Sequence, residues 1–200
     1  MAGLRAMLQA YTDDGSLPGA VSLVGRGDQI EVAVVGSATI GGAPMARNSI
    51  FRFASLTKAI TAAAVMMLVE DGRIALGDPV RQWLPELAEP KVVRTPASAV
   101  DDVVPANRPI TVLDLLSSKA GYGELFPEGQ GWGFGGSVDV APIDPWNVPG
   151  RYGWVGGTGT SAHITPSAGT IAILMTQVGM DSPVPARWLR DFWRYAASAR

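Results

Sequence analysis

The sequence predicts an α+β fold, with an antiparallel sheet and helices on its faces. Helical and strand-like segments follow one another as helix, strands, helices, strands and helix along 200 residues. The first two strands are separated only by a tight turn, which favours antiparallel pairing. A hydrophobic share of 47% and a charged share of 17% are typical of a chain that buries a core. We expect one compact domain over residues 1–200, loop-rich at 89–109 and 121–150.

The elements of the first half follow from periodicity and from glycine positions. Apolar residues at helical spacing predict a first helix that stops near Asp14-Gly15. A hairpin follows, with strands at 20–25 and 30–36. The run 59–72 is rich in Ala, Leu and Met, has no proline and ends at Gly72, where glycine favours a left-handed C-cap. This run predicts one buried helix.

The second half contains shorter elements. Asp78 as cap and Pro79 at the first position predict a short helix that ends by Pro85. Thr111, with Asp114 three residues later, predicts a capped short helix near residue 111. We further predict strands within 131–140, 150–157 and 170–177, and a last helix over 184–197.

Ser55 and Lys58 stand at the start of the long apolar helix. Ser55 is placed at the N-cap or in the first turn, and Lys58 follows three residues later, on the same helical face. Because the positive end of the helix dipole disfavours a cation, it favours a neutral amine, which is a base. An arbitrary Ser-x-x-Lys is more often a cap beside a solvated lysine. The pair by itself therefore leaves both interpretations open.

Composition excludes several classes of function. A net charge of -2 and a pI near 5.4 give no general attraction to nucleic acid or to an anionic membrane. No cysteine and a single histidine argue against a zinc site, and we expect no metal and no cofactor. No secretory leader is visible at the N-terminus, and the apolar helix is too short to span a bilayer. We expect a soluble, cytoplasmic protein.

Taken together, the motifs resemble the serine β-lactamase and penicillin-binding-protein superfamily, above all its class C β-lactamase branch and the family VIII carboxylesterases. An isolated Ser-x-x-Lys is a weak signal, whereas many matches in the same order are a strong one. The resemblance implies a β-lactamase/transpeptidase-like fold, in which N- and C-terminal helices and the Ser-x-x-Lys helix flank an antiparallel sheet. The matching stretches include Leu17-Pro18-Gly19-Ala20, Ile50 to Lys58, Met67 to Gly72, Pro109 to Leu116 and Gly150 to Ser161.

The resemblance also implies roles for individual residues. Ser55 would be the acylated nucleophile and Lys58 the base that accepts its proton. The backbone N–H groups of Ser55 and Gly157 would form the oxyanion hole. Trp154 replaces the lysine that usually begins the third motif, Trp154-Val155-Gly156, and an indole favours a neutral, apolar acyl group. A core aromatic on a strand explains Trp154 equally well.

The helical lobe that supplies the family's middle element, Tyr-x-Asn or Tyr-x-Ser, is largely missing. The likeness jumps from Gly123 to about Gly131, and none of the four tyrosines has the required sequence after it. Tyr122 and Tyr152 are candidates to stand in, although both suit a structural role better. We place them with Trp154 and Gly156 among the substrate-binding residues.

The expected function is that of a serine hydrolase that works through an acyl-serine intermediate. We expect a carboxylesterase for short-chain esters, with weak or no β-lactamase activity. The alternatives are a relic that binds or slowly acylates without efficient turnover, and a minimised scaffold, whether natural or engineered. Because a lost lobe exposes apolar surface, we also expect a homo-oligomer, dimeric or larger. The sequence does not identify the physiological substrate.

Overall fold

The computed structural model describes residues 3–118 and 129–198. These residues form two compact units, one of residues 3–60 with 129–198 and one of residues 61–118. The helices within the described ranges are α1 (Leu4–Asp13), α2 (Thr57–Glu70), α3 (Val112–Leu116) and α4 (Arg187–Ser198). The strands are β1 (Gly19–Arg26), β2 (Gln29–Gly36), β3 (Lys91–Val93), β4 (Val103–Pro105), β5 (Gln130–Trp132), β6 (Ser137–Asp139), β7 (Tyr152–Gly156), β8 (Thr160–Thr165) and β9 (Thr170–Thr176).

A seven-stranded sheet organises the first unit, in the order β2-β1-β9-β8-β7-β6-β5. Every neighbouring pair of its strands is antiparallel, which confirms the predicted fold class. Strands β1 and β9 come from opposite ends of the chain and pair from Ala20 with Thr176 to Arg26 with Thr170. This long-range pairing joins the N-terminal hairpin to the strands that follow residue 129.

One face of this sheet, here called the back face, is covered by α1 and α4. Side chains of α1, β1, β9 and α4 form a continuous hydrophobic core there. Its most deeply buried members include Leu4, Leu8, Val24, Leu174 and Phe192. Because successive strand residues point to opposite faces, the remaining strand residues form a second surface, here called the front face.

The front face is apolar but only partly covered. Ile173 and Met175 of β9 are half-buried there, and Ile171 is exposed. Ile164 of β8, which pairs with Ile171, is exposed as well. The 3₁₀ turn Ala54–Leu56, which precedes α2, lies against strands β7 and β8 of this unit.

The second unit contains most of α2, the β3–β4 hairpin and α3. The buried apolar residues described in this unit are Ala62, Val80, Val112 and Leu116. Thr111 and Asp114 form the predicted capping box at the start of α3. Arg108 donates two hydrogen bonds to Asp114, of 2.6 and 2.9 Å, and holds the pKa of that carboxyl well below its usual range.

Several further predictions are confirmed. Helix α1, the β1–β2 hairpin, β9 and α4 lie where periodicity placed them. Gly72 has a φ of 67° and ends α2 as predicted, because its N–H bonds to the Val69 carbonyl while the Arg73 N–H bonds to the Leu68 carbonyl. The prediction of a single domain over the whole chain stays a prediction.

Helix α2 is not the buried helix that the sequence predicted. Of its residues only Ala62 is buried. Helix formation follows from local propensity, whereas burial requires a partner surface, and an apolar run specifies only the first. Of the two places predicted for Ser55, the structure has it in the first turn, the 3₁₀ turn Ala54–Leu56 that leads into α2, and not at the N-cap.

Other corrections concern short elements. The predicted strand within 131–140 is a hairpin of β5 and β6, and β8 was not predicted at all. Residues 89–109 contain the β3–β4 hairpin, not only loop. The predicted helix from Asp78 to Pro85 is two 3₁₀ turns, Val80–Gln82 and Pro85–Leu87. The Asp78 carboxylate accepts a hydrogen bond from the Ala75 N–H and does not cap the first of them.

Candidate active site

The backbone before Ser55 adopts an unusual conformation. Ala54 has a φ of 46°, in the left-handed region that side chains other than glycine rarely occupy. The cost of this conformation is of the order of 1–3 kcal/mol, and such strain is concentrated at functional sites. Here it fixes the direction in which the chain enters the turn that carries Ser55.

Ser55 and Lys58 are joined by a hydrogen bond. The Lys58 Nζ lies 2.9 Å from the Ser55 Oγ, and both side chains are half-buried. This is the separation expected of a nucleophile and its base. The geometry is therefore that of the predicted pair, and the catalytic roles of the two residues stay a prediction.

The β7–β8 hairpin packs against the backbone before Ser55. The Thr160 hydroxyl donates to the Phe53 carbonyl over 3.2 Å, and the Thr158 hydroxyl donates to the Arg52 carbonyl. A side chain at Gly156 would collide with the Phe53 carbonyl oxygen, so glycine is required for this approach. Gly157 follows in the hairpin turn, where a Cβ would meet open space. Its part in an oxyanion hole stays a prediction.

Tyr152 holds the turn between β5 and β6 near the start of α2. Its hydroxyl donates to the Phe134 carbonyl, and burial raises its pKa. Gly135 of the same turn has a φ of 73°, and a Cβ there would lie 2.5 Å from the Lys58 carbonyl oxygen. The hydroxyl of Tyr152 is thus committed to the backbone of a turn that rests on Lys58.

An apolar groove lies on the front face beside the turn of Ser55. The 3₁₀ turn and the start of α2 form one side, and strands β7, β8 and β9 form the other. Trp154 lines this groove, and its ring meets that of Trp132 edge-on, with centroids 4.6 Å apart. The groove contains about 240 Å³ and is lined mainly by Phe53, Leu56, Ile60, Trp154, Ile173 and Met175.

No tyrosine within the described ranges is bonded to Ser55 or Lys58. Tyr11 donates to Asp191, Tyr195 donates to Glu31 over 2.8 Å, and Tyr152 donates to the Phe134 carbonyl. Tyr122 lies outside the described residues. Within the described residues, therefore, no phenol is hydrogen-bonded to the nucleophile or to its base.

His163 belongs to the back face. It is buried beneath α4, with its Nδ1 3.1 Å from the Ser161 hydroxyl. Burial and the nearby charge of Arg151 hold its pKa well below the usual value, so the ring is neutral. Within 3–118 and 129–198 no cluster of acidic or histidine side chains suits a metal ion, and no helix is long and apolar enough to cross a membrane. A cytoplasmic location stays a prediction.

Sequence reasoning missed the residues that position Ser55. The strain at Ala54 and the hydrogen bonds of Thr158 and Thr160 left no signal that propensity or spacing detects. The β5–β6 turn, in contrast, is marked in the sequence by its glycine residues. The glycine-rich stretch 131–136 matches a dinucleotide-binding fingerprint, but it forms a hairpin whose turn approaches Lys58.

Comparison with known proteins identifies the family of this chain. The family described as Beta-lactamase matches residues 4–134. This chain therefore belongs to the beta-lactamase family. Protein Rv1367c of Mycobacterium tuberculosis is 40% identical over 121 residues, which are 60% of this chain and 30% of that protein. Esterase EstB of Burkholderia gladioli is 34% identical in an alignment 154 positions long that covers 72% of this chain and 36% of that protein.

Solved structures share the fold at low sequence identity. EstCE1, described as a hydrolase with promiscuous acyltransferase activity, has a TM-score of 0.66 and 15% identity, with 97% of each chain covered. The simvastatin synthase LovD from Aspergillus terreus has a TM-score of 0.69 and 12% identity, with 96% of this chain and 95% of that chain covered. This chain spans about a third of the length of the curated relatives it matches.

Proposed function

We propose that this protein is a serine hydrolase that forms an acyl intermediate on Ser55, with Lys58 as the base. One observation carries the proposal, the 2.9 Å hydrogen bond between the Lys58 Nζ and the Ser55 Oγ. Three features beside it fit a reactive turn: the strained Ala54, the docked β7–β8 hairpin and the apolar groove.

The chemistry follows from this pair. Lys58, acting as the base, accepts the Ser55 hydroxyl proton while the Oγ attacks the substrate carbonyl carbon. Charge then develops on the carbonyl oxygen, where the N–H groups of Ser55 and Gly157 would stabilise it. The tetrahedral intermediate then collapses: the bond to the leaving oxygen breaks, that oxygen takes the proton held by Lys58 and departs as the alcohol, and the acyl-serine remains. Water hydrolyses that ester, releases the acid and restores Ser55.

Short-chain esters suit this site better than β-lactams. Trp154 adds apolar surface to the groove beside the Ser55 turn and brings no cation to pair with a β-lactam carboxylate. Because no phenol within the described residues is bonded to Ser55, we expect little protonation of the leaving group. Activated esters need this protonation least, since their leaving groups depart easily as anions. The name of the relative EstB, an esterase, favours the same substrate class.

The test compares hydrolysis of p-nitrophenyl acetate and nitrocefin. Ser55→Ala should reduce esterase turnover by about 10³-fold or more, since it removes the nucleophile. Lys58→Met should reduce it by about 10²–10⁴-fold, the usual contribution of a positioned base. Ser16→Ala, an exposed serine, is the matched control and should equal the wild type. Equal turnover by wild type and Ser55→Ala would overturn the proposal.

A second candidate is a relic that acylates without efficient turnover. It is favoured by the same observation that no described tyrosine meets Ser55 or Lys58. Mass spectrometry after exposure to p-nitrophenyl acetate or a β-lactam separates the two candidates. A stable acyl adduct on Ser55 with negligible turnover supports the relic. Steady turnover, with no adduct in Ser55→Ala, supports the hydrolase.

Exposed apolar surface supports the further proposal that a second copy of this chain covers the groove. Ile60 and Met67 of α2 are 57% and 65% exposed, although a helix that is apolar on all sides is normally buried. Sedimentation velocity at micromolar concentration should then show a dimer or larger species. Ile60→Glu should shift it toward monomer, and a strictly monomeric wild type would refute the idea.

A further inference from the structure

A cavity of about 500 Å³ lies on the back face of the sheet, beside the second half of α4. His163, Thr165 and Ala172 contribute to its walls from β8 and β9. Ala162 and Ile164, their neighbours in β8, line the groove on the opposite face. Because side chains alternate across a strand, this cavity is separated from the Ser55 groove by the sheet itself.

Most of the cavity wall is apolar. Trp146 and Trp193 present aromatic rings whose centroids are 5.8 Å apart, and Ala172, Ala196 and Ala197 leave free volume because their side chains are small. A volume of several hundred Å³ with aromatic walls and few polar groups is typical of small-molecule sites. The walls therefore suit an apolar tail of aryl or short alkyl type.

One cationic side chain stands in this wall without an ionic partner. Arg26, at the end of β1, donates from its Nη2 to the Tyr195 carbonyl over 3.4 Å and lies 5.6 Å from the centre of the Tyr195 ring. Its Nε is buried and has no hydrogen-bond partner within the described residues. Among those residues, no carboxylate lies within ion-pair distance of Arg26.

The other ionisable groups of the cavity carry no net charge. Arg151 is buried in an ion pair with Asp139, with 3.3 Å between its Nη1 and the carboxylate. His163 is neutral, because burial and Arg151 hold its pKa well below the usual value. Arg26 therefore leaves the cavity with one excess positive charge. A partly desolvated cation of this kind gains most from an anion that can accept bidentate hydrogen bonds.

We propose that this cavity binds a small monocarboxylate with an apolar tail. Its carboxylate would pair with the Arg26 guanidinium, and its tail would lie against the walls formed by Trp146, Trp193 and the alanines of α4. The Thr165 hydroxyl, also in the wall, adds a donor for the second carboxylate oxygen. This site is independent of the reaction proposed at Ser55, because it lies on the other face of the sheet.

The test measures binding of 4-phenylbutyrate and of the neutral 4-phenylbutan-1-ol by isothermal titration calorimetry. The acid should bind with a submillimolar Kd and the alcohol at least about tenfold more weakly, since only the acid pairs with Arg26. Arg26→Gln should weaken binding of the acid by about tenfold or more, and Arg26→Lys, which keeps the charge but loses the bidentate fork, should recover only part of it. Arg187→Gln, which removes an exposed arginine outside the cavity, should leave the Kd unchanged.

A second set of variants tests the same cavity in case the Arg26 variants fail to fold. Ala197→Phe should fill the cavity and abolish binding, whereas Ala10→Phe, at an exposed position of α1, should not. Ser55→Ala should bind the acid like the wild type, so this test can succeed even if the proposed hydrolase activity fails. The inference is overturned by three results: no binding of the acid, equal affinity for acid and alcohol, or full binding by Ala197→Phe.

Discussion

The two faces of the seven-stranded sheet are built from the same strands but are covered very differently. On the back face, Leu8, Leu174 and Phe192 are 0% exposed beneath α1 and α4. On the front face, Ile171 is 46% exposed, one residue along β9 from the buried Ala172. Since the strands are shared, the difference arises from what packs on each face and not from strand composition.

This difference separates stability from chemistry. The back face has the continuous core, the buried Arg151–Asp139 pair and the helix-to-helix link from Tyr11 to Asp191. The front face has the Ser55–Lys58 pair and an open apolar groove. We infer that packing on the back face supplies most of the stability of this unit, and that the proposed reaction takes place on the front face. Substitutions on the two faces should therefore give different responses.

The largest effect on stability should come from the back face. Phe192→Ala removes a fully buried ring and should lower the free energy of unfolding by about 3–5 kcal/mol. Urea unfolding followed by tryptophan fluorescence measures this change. A loss below about 1 kcal/mol would mean that the packing of α4 against the sheet contributes little to the stability of the unit.

A front-face variant should instead change activity more than stability. Tyr152→Phe removes the hydrogen bond to the Phe134 carbonyl and should cost about 1 kcal/mol of unfolding free energy. Because the turn on Lys58 loosens, we expect kcat for p-nitrophenyl acetate to fall by about tenfold, in the range that small misplacements produce.

The pH profile distinguishes this positioning role from proton donation. If Tyr152 were the proton donor, kcat would fall by about 10²–10⁴-fold and its alkaline limb would disappear in the variant. If kcat of Tyr152→Phe falls only modestly and its pH profile runs parallel to that of the wild type, Tyr152 positions the turn and does not donate the proton. Tyr195→Phe, on the back face, serves as the matched control and should leave kcat unchanged.

Alkaline pH should weaken the back face through Tyr11. Burial, and then the hydrogen bond to Asp191, raises the pKa of Tyr11 to about 12. The folded state thus favours the protonated phenol, so this contribution is complete below the unfolded pKa of about 10 and is lost as pH rises toward 12. In Tyr11→Phe this part of the decline in unfolding free energy should be absent. Identical pH profiles for both proteins would contradict the assignment.

The smallest effect should come from Ile171→Ala on the front face. Its side chain is nearly half exposed, so we expect a change in unfolding free energy below about 1 kcal/mol at a concentration where the chain is monomeric. The measurement is the urea midpoint, compared with that of Phe192→Ala. A loss as large as for Phe192→Ala would remove the distinction between the two faces.

Local sequence determined the helices, the first hairpin and the proximity of Ser55 to Lys58. Helix periodicity, the glycine at 72 and the Thr111–Asp114 capping box all act over three or four residues, and the structure has them where they were predicted. The family followed from ordered motifs, which depend on sequence alone. The same local rules gave the spacing that joins the Lys58 amine to the Ser55 hydroxyl.

Only the tertiary structure decided which surfaces are covered and what surrounds Ser55. Three features join residues that are far apart in the chain. They are the pairing of β1 with β9, the position of β8 between β7 and β9, and the close approach of Gly135 to Lys58. No periodicity within a segment encodes such pairings, because a strand or helix has the same local pattern whether or not a partner covers it. For the same reason α2 was predicted as a helix correctly and as a buried helix wrongly.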